Sequence, residues 1–383
     1  MAERPRILIL SASIGEGHDL PARVIAEGIA AEAPDTEVEI LDSLALVNPL
    51  VRRLVLDSSR FHSKWGNRIF DLSYRLITNV PPTRWFAARL TQFLAARPIR
   101  RAVLDRAPDV VVSTYPGSTE VLGALRAAGK IDVPVVSAIT DLAALRYWAH
   151  PGVDLHLITH PESAEEVAEI APGTEIACVR GLTDPRFYEP REQAEARRDL
   201  GLPADGPIVL VSGGGWAVGD LEGAAEEALT LPGSTVVCLC GRNDELRTKL
   251  AERFAAEPRM KVEGFTDRMP DWFAAADVLV HSTAGLTVLE AIMRGCGVVS
   301  YGWGIGHVRV NNEAFARFGL AEVARSRDEL GEAIVRALAG KPDPDESFAE
   351  LPTAASAILR LADGELGDGG RARQQAGSQG DGR

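Results

Sequence analysis

A chain of 383 residues, 46% hydrophobic and 25% charged, is long enough for two or three domains with proper cores. Its composition excludes a mainly disordered, collagen-like or disulfide-stapled protein. The 41 lysines and arginines are outnumbered by 54 acidic residues, a formal charge of −13, which excludes a surface built throughout to grip nucleic acid; an anionic partner must meet a local basic patch.

Short aliphatic runs alternate with longer helical patterns. Arg6–Leu10, Val38–Leu41, Asp109–Ser113, Pro134–Ala138, Leu155–Thr159 and Ile176–Arg180 read as strands. After a Pro-rich, charged break at 184–206, which holds a short helical stretch REQAEARRDL, the series resumes with Ile208–Ser212, Thr235–Leu239, Val278–His281 and Val298–Tyr301. This alternation predicts an α/β protein of two doubly wound parallel-sheet domains, residues 1–185 and 205–340, facing a central cleft. A last helix over about Phe348–Leu361 lies in a segment 341–363, and the glycine-rich stretch 364–383 has too little to bury to be ordered. Cys178, Cys238, Cys240 and Cys296 show no metal or redox spacing and read as reduced, buried thiols. The apolar run 7–10 is too short for a signal-peptide core, and no stretch approaches the ~18 apolar residues that cross a bilayer. The expected location is cytoplasmic, with at most peripheral contact with the inner face of the membrane.

Each half opens with a strand running into a glycine-rich loop and a helix. In the first, Arg6–Leu10 leads into SASIGEGH, with Gly15, Gly17 and His18. Glycines let backbone approach a ligand, and the helix N-terminus behind them favours polar oxygen or negative charge. A dinucleotide site is the rival, with Asp42 ending the second strand, but Leu20 stands where the third glycine belongs. In the second half, IVLVS runs into GGGWAVGD, whose consecutive Gly213, Gly214 and Gly215 suit a diphosphate. HSTAGLTVLEA then supplies another strand end, Thr283, Gly285 and a helix start at Leu286, with Glu290 one to two turns in. Two phosphate-friendly helix starts on one sheet edge suggest a nucleoside diphosphate. His156 and His160 have i, i+4 spacing, but in a strand four residues span about 13 Å, so they do not share an ion.

A third feature is a basic, aromatic stretch. Residues 45–106 carry twelve arginines and lysines against three aspartates, together with Phe61, Trp65, Phe70, Tyr74, Trp85, Phe86 and Phe93. Positive charge with amphipathic rings predicts a partner in an anionic membrane surface.

SASIGEGH at the start, taken with STAGLTVLEAIMRGCGVVSYG near the end, resembles glycosyltransferase family 28. Within it, ITDLAALRYWAHPGVD is similar to the branch of monogalactosyldiacylglycerol synthases and processive diacylglycerol glucosyltransferases. The resemblance, over about residues 6–338, implies a GT-B fold. It implies an inverting hexosyltransferase that moves sugar from a UDP-sugar to a lipid hydroxyl, most readily diacylglycerol, with no metal. The only Asp-x-Asp, Asp343-Pro344-Asp345, is poorly placed for a metal-diphosphate site. Carried over by position, the resemblance makes His18 and Asp141 the catalytic candidates. Gly213–Gly215, Thr283, Gly285 and Leu286 match the phosphate loops, Glu290 the ribose-binding acid, and the backbone near Phe265 the uracil site. Gly306, His307 and Asn311 fall against the donor sugar, where His307-Val308 replaces the usual Gln-Glu. Gly15, Gly17, Trp148 and His150 fall on the acceptor side. The alternatives are transfer to another lipid or a soluble acceptor, a UDP-sugar epimerase on the same fold, and a non-catalytic UDP-sugar-binding relative.

Overall fold

The computed structural model describes residues 4–14, 16–50, 52–53, 80–283, 285–302 and 306–364. Gly15, most of the basic stretch between 54 and 79 with four of its aromatic residues, and the tail beyond Gly364 lie outside the described residues. The contacts divide the chain into two units. Unit 1 takes residues 1–140, 144–184 and 351–383; unit 2 takes 141–143 and 185–350.

Unit 1 is built on six parallel strands: β1 (Arg6–Ser11), β2 (Glu37–Asp42), β3 (Val110–Ser113), β4 (Val135–Ile139), β5 (Leu155–Ile158) and β6 (Glu175–Cys178). Their order is β2-β1-β3-β4-β5-β6. β1 shows why a central parallel strand reads as an unbroken apolar run. Ile7 and Ile9 face one core with Ile25 and Ile29 of the helix Glu16–Glu32, while Leu8 and Leu10 face another with Val121, Leu122 and Leu125 of the helix Pro116–Ala127.

Unit 2 repeats the plan with β7 (Ile208–Ser212), β8 (Thr235–Leu239), β9 (Met260–Glu263), β10 (Val278–His281), β11 (Gly297–Tyr301) and β12 (Glu322–Ala324), in the order β12-β11-β10-β7-β8-β9. β7 is again two-faced: Val209 and Val211 enter one core, Ile208 and Leu210 the other. β9 and β12 are missing from the sequence reading. Both are edge strands, MKVE and EVA, with few fully buried residues and charged side chains that blunt the edge, so no apolar run marks them.

Two segments join units at a distance in sequence. The residues after Pro185, whose prolines and charges read as a break, pack into unit 2 through Phe187, Ala196 and Leu200, and the nearly buried Arg197 pairs with Asp277 at 2.6 Å. The last helix begins at Ala354 rather than near Phe348, because Thr353 caps it by accepting from Ser356 N at 2.9 Å. Backbone bonds of Arg180 to Pro352 and Ala354 tie it to unit 1, where Ala355, Ile358 and Leu361 enter the core beside Ile25 and Ile29.

Candidate functional site

In a doubly wound sheet, ligands bind beyond the carboxyl ends of the strands where the strand order reverses. In unit 1 that point lies between β1 and β3; in unit 2 it lies between β7 and β10. Residues singled out by the sequence, His18 in unit 1 and Gly213–Gly215, Thr283 and Gly285 in unit 2, fall at these points.

At the unit 1 switch point, His18 stands in the first turn of the helix after β1, and its ring is fixed from the end of β3. His18 Nδ1 lies 2.9 Å from the carbonyl oxygen of Thr114, and Thr114 Oγ1 donates to the His18 carbonyl at 2.9 Å. A carbonyl can only accept, so Nδ1 carries the hydrogen and Nε2 holds the lone pair of the neutral ring. Tyr115 meets the imidazole edge-on, with centroids 5.3 Å apart, and the buried Trp148 lies at 5.8 Å. One nitrogen is held by backbone and the ring lies against two aromatics, an arrangement that can orient an imidazole for proton transfer. Gly17, beside it, is exposed.

Tyr147 and Ala149, which flank Trp148 in the chain, line a cavity of about 670 Å³ in unit 1. Further lining comes from Arg84, Trp85 and Arg89 of the helix Pro81–Arg106, from Glu120, and from His150. The Tyr147 hydroxyl is buried there with no hydrogen-bond partner among the described residues. His150 Nδ1 accepts from Gly152 N at 2.9 Å, and burial lowers its pKa. The same helix leaves Trp85, Phe86 and Phe93 more than 60% exposed, at positions that recur on one helical face. Arg89 sits over the Trp85 ring at 5.5 Å.

At the unit 2 switch point, His281 and Ser212 are partners in adjacent strands, so the loops after β7 and β10 emerge side by side. The glycine loop folds back on itself, Val218 N donating to Gly213 O at 2.8 Å; a Cβ on Gly213 would lie 2.4 Å from Val218 O, which is why glycine stands there. Ser282 donates to Val218 O and fastens the two loops together. Gly214 packs against the Thr283 methyl, and the Thr283 hydroxyl is buried with no partner among the described residues. A buried polar atom without a partner is uncommon in a folded protein, and a water or a ligand atom at this place would complete the bonding. Beneath it, buried His281 accepts from Thr283 N at 3.3 Å through Nδ1 and meets Ser300 Oγ at 2.8 Å through Nε2. Burial holds that ring's pKa down at about 4, so it is a neutral strut. Gly285 caps the helix Leu286–Met293; Leu286 is buried in the core and Glu290 half-buried one turn further on.

The remaining predicted residues are dispersed. Phe265 is 55% exposed after β9. Gly306 caps the helix His307–Phe318, of which His307 is the first residue. Asn311, fully buried on that helix, accepts from Leu142 N and Ala143 N at 2.9 and 3.1 Å, which fixes the segment carrying Asp141 within unit 2. His156 and His160 are both buried, with pKa values pushed down to about 4 by burial, and His156 bonds Thr174 and His150 N. Sequence reasoning missed Thr114 and Tyr115, which lie far along the chain from His18, and His281, which reads as an ordinary strand end. Among the described residues no helix is long and apolar enough to cross a membrane.

Residues 18–181 match the family described as monogalactosyldiacylglycerol (MGDG) synthase, and residues 223–340 match the glycosyl transferases group 1 family. Monogalactosyldiacylglycerol synthase 1 of Arabidopsis thaliana is 28% identical over 348 residues, 87% of this chain and 65% of the plant protein. The processive diacylglycerol beta-glucosyltransferase of Bacillus licheniformis is 24% identical, with 90% of each chain covered. Among solved structures, Acinetobacter baumannii MurG superposes with a TM-score of 0.57 at 14% identity, covering 94% of this chain and all of the other. The fold is therefore GT-B.

Proposed function

We propose, for a chain that belongs to the branch of glycosyltransferase family 28 containing monogalactosyldiacylglycerol synthases and processive diacylglycerol glucosyltransferases, that it transfers a hexose from a UDP-sugar to a lipid hydroxyl, with diacylglycerol as the acceptor. The observation that carries this function is the His18 ring, held with Nδ1 on the Thr114 carbonyl so that Nε2 is the proton acceptor. Nε2 takes the proton of the acceptor alcohol as its oxygen forms a bond to the anomeric carbon; the bond from that carbon to the UDP oxygen breaks, and the configuration inverts. Unit 1 activates the acceptor. Unit 2 binds the donor: amides of the Gly213–Gly215 loop and the start of the helix Leu286–Met293 receive the diphosphate, Thr283 Oγ1 gains an acceptor, Glu290 holds the ribose hydroxyls, and backbone near Phe265 receives uracil. Asp141 orients groups near the reacting alcohol, and Gly306 and His307 lie on the sugar side. No metal takes part.

The cavity in unit 1 offers the lipid acceptor a mixed wall, apolar and aromatic at Trp85, Ala124, Tyr147 and Ile170 and charged at Arg84, Arg89 and Glu120. The exposed Trp85, Phe86 and Phe93, interleaved with Arg84, Arg89 and Arg97, suit the headgroup layer of an anionic inner membrane face, where each basic residue contributes about 1 kcal/mol. The test is incubation with labelled UDP-glucose, UDP-galactose or UDP-N-acetylglucosamine and diacylglycerol in vesicles with and without anionic lipid. Labelled glycolipid in excess chelator, formed faster on anionic vesicles, is the expected result. Hydrolysis or epimerisation of the sugar with no lipid product would overturn it, and equal rates on both vesicle types would remove the electrostatic contact.

A further inference from the structure

The turns that follow β7, β8 and β9 stand in a row, since these strands are neighbours about 4.8 Å apart. The first is the glycine loop. The second, Cys240-Gly241-Arg242-Asn243, lies directly on it: a Cβ on Gly241 would come within 2.5 Å of Gly215 O, and Arg242 N donates to that same oxygen at 2.8 Å. The third begins at Glu263, whose carbonyl accepts from Cys240 N at 2.9 Å, and presents Phe265 two residues later. Arg242 bridges the second and third, its guanidinium carbon 3.8 Å above the centre of the Phe265 ring.

This pair is unusual for a surface. Arg242 is exposed and Phe265 is more than half exposed, so neither gains much from the core. The second turn is nonetheless held by a short backbone bond to the glycine loop, and the third by one to the second. A guanidinium plane and a phenyl ring, stacked and open to solvent one and two strands away from a phosphate loop, form a platform for a third flat group. Planar bases stack on aromatic rings and on arginine alike.

From this geometry we infer that Arg242 is a nucleobase-binding residue, which with Phe265 stacks the base of a nucleoside diphosphate while the adjoining glycine loop holds the phosphates. The inference rests on the donor site assigned to unit 2. It differs from a phosphate contact in one respect: the planar fork matters as well as the charge, and lysine cannot replace it.

Calorimetry of the full chain with UDP separates the possibilities, using R242M, R242K, F265L and the double variant R242M/F265L, each checked for wild-type near-ultraviolet circular dichroism. Both Arg242 variants and F265L are expected to weaken UDP about tenfold, the range of a lost base stack, and the double variant to be little weaker than either single one. Wild-type affinity in R242K would identify a charge contact to phosphate and overturn the inference. So would unchanged affinity in R242M, or losses that add fully in the double variant. No UDP binding by the wild-type chain would remove the donor site itself and this inference with it, whereas binding that Arg242 does not affect removes the inference alone.

Discussion

The two units share a plan and differ in what they place at the point where strand order reverses. In unit 1 that point holds an imidazole wedged between Tyr115 and Trp148 and oriented by a carbonyl; in unit 2 it holds glycines, a helix start and a hydroxyl without a partner among the described residues. The first environment fixes a single proton acceptor and can tolerate only small movements of it. The second brings a glycine loop, a helix start and the Thr283 hydroxyl side by side. On the proposed function one fold gives a base-bearing half and an anion-receiving half, and the difference comes from the side chains at the switch points rather than from the sheets.

The largest effect expected on this contrast comes from His18. Replacing it by alanine should lower turnover with a confirmed donor by about 10²–10⁴, the usual range for a general base, while UDP affinity stays within about twofold. On the proposed function rate and binding must separate, because the proposed base lies in unit 1 and the proposed nucleotide site in unit 2. A fall below tenfold, or a parallel loss of UDP binding, would dissolve the division of labour.

Acid should separate the units next. His156 and His160 in unit 1 and His281 in unit 2 are buried rings with pKa values of about 4, against 6.5 for an exposed ring. As pH falls below 6.5 the unfolded chain takes up protons that the folded rings refuse, so stability is full above 6.5, declines toward pH 4 and then levels. Each ring accounts for about 3 kcal/mol over that window. His150, also lowered by burial, acts in the same direction. Unit 1 should therefore lose more stability than unit 2 between pH 7 and 4.5, as read by hydrogen exchange of β1 and β4 against β7 and β10. H160L should flatten the slope in unit 1 only; equal slopes in both units and no change in H160L would contradict the assignment of these rings as neutral struts.

The same contrast governs what was legible in the sequence. Central strands such as β1 and β7 announce themselves, because burial on both faces makes every residue apolar. β9 and β12 do not, since an edge strand needs charge to stay unpaired. His18 was legible from its strand, glycines and helix, but its orienting carbonyl at Thr114 was not: the switch point joins β1 to β3, and only the folded sheet brings them together. Asn311 shows the opposite case. Its place suggests sugar binding, whereas its amide closes on the backbone at 142 and 143, a bond that depends on a segment well separated in sequence. Arg242 was in plain view in VVCLCGRN, yet its stack on Phe265 exists only because β8 and β9 are neighbours.

The smallest effect is the most specific, because stability and binding should move in opposite directions. The Thr283 hydroxyl is buried without a partner among the described residues, and an unsatisfied buried hydroxyl costs about 1–3 kcal/mol. Valine has nearly the same shape and keeps the methyl that packs on Gly214, so T283V removes that cost without opening a cavity. Unit 2 of the free protein should be unchanged or stabilised by up to about 1 kcal/mol, whereas UDP should bind several-fold more weakly, since a hydrogen bond to a charged phosphate is worth about 1.5–3 kcal/mol less the hydroxyl's desolvation. Thermal unfolding with and without saturating UDP measures both quantities in one experiment. A T283V protein that melts several degrees lower without nucleotide would mean that the hydroxyl is bonded in the free fold. One that binds UDP as the wild type does would mean that the phosphates lie elsewhere, and the hydroxyl between the loops after β7 and β10 would then be a feature of loop packing rather than part of a donor site.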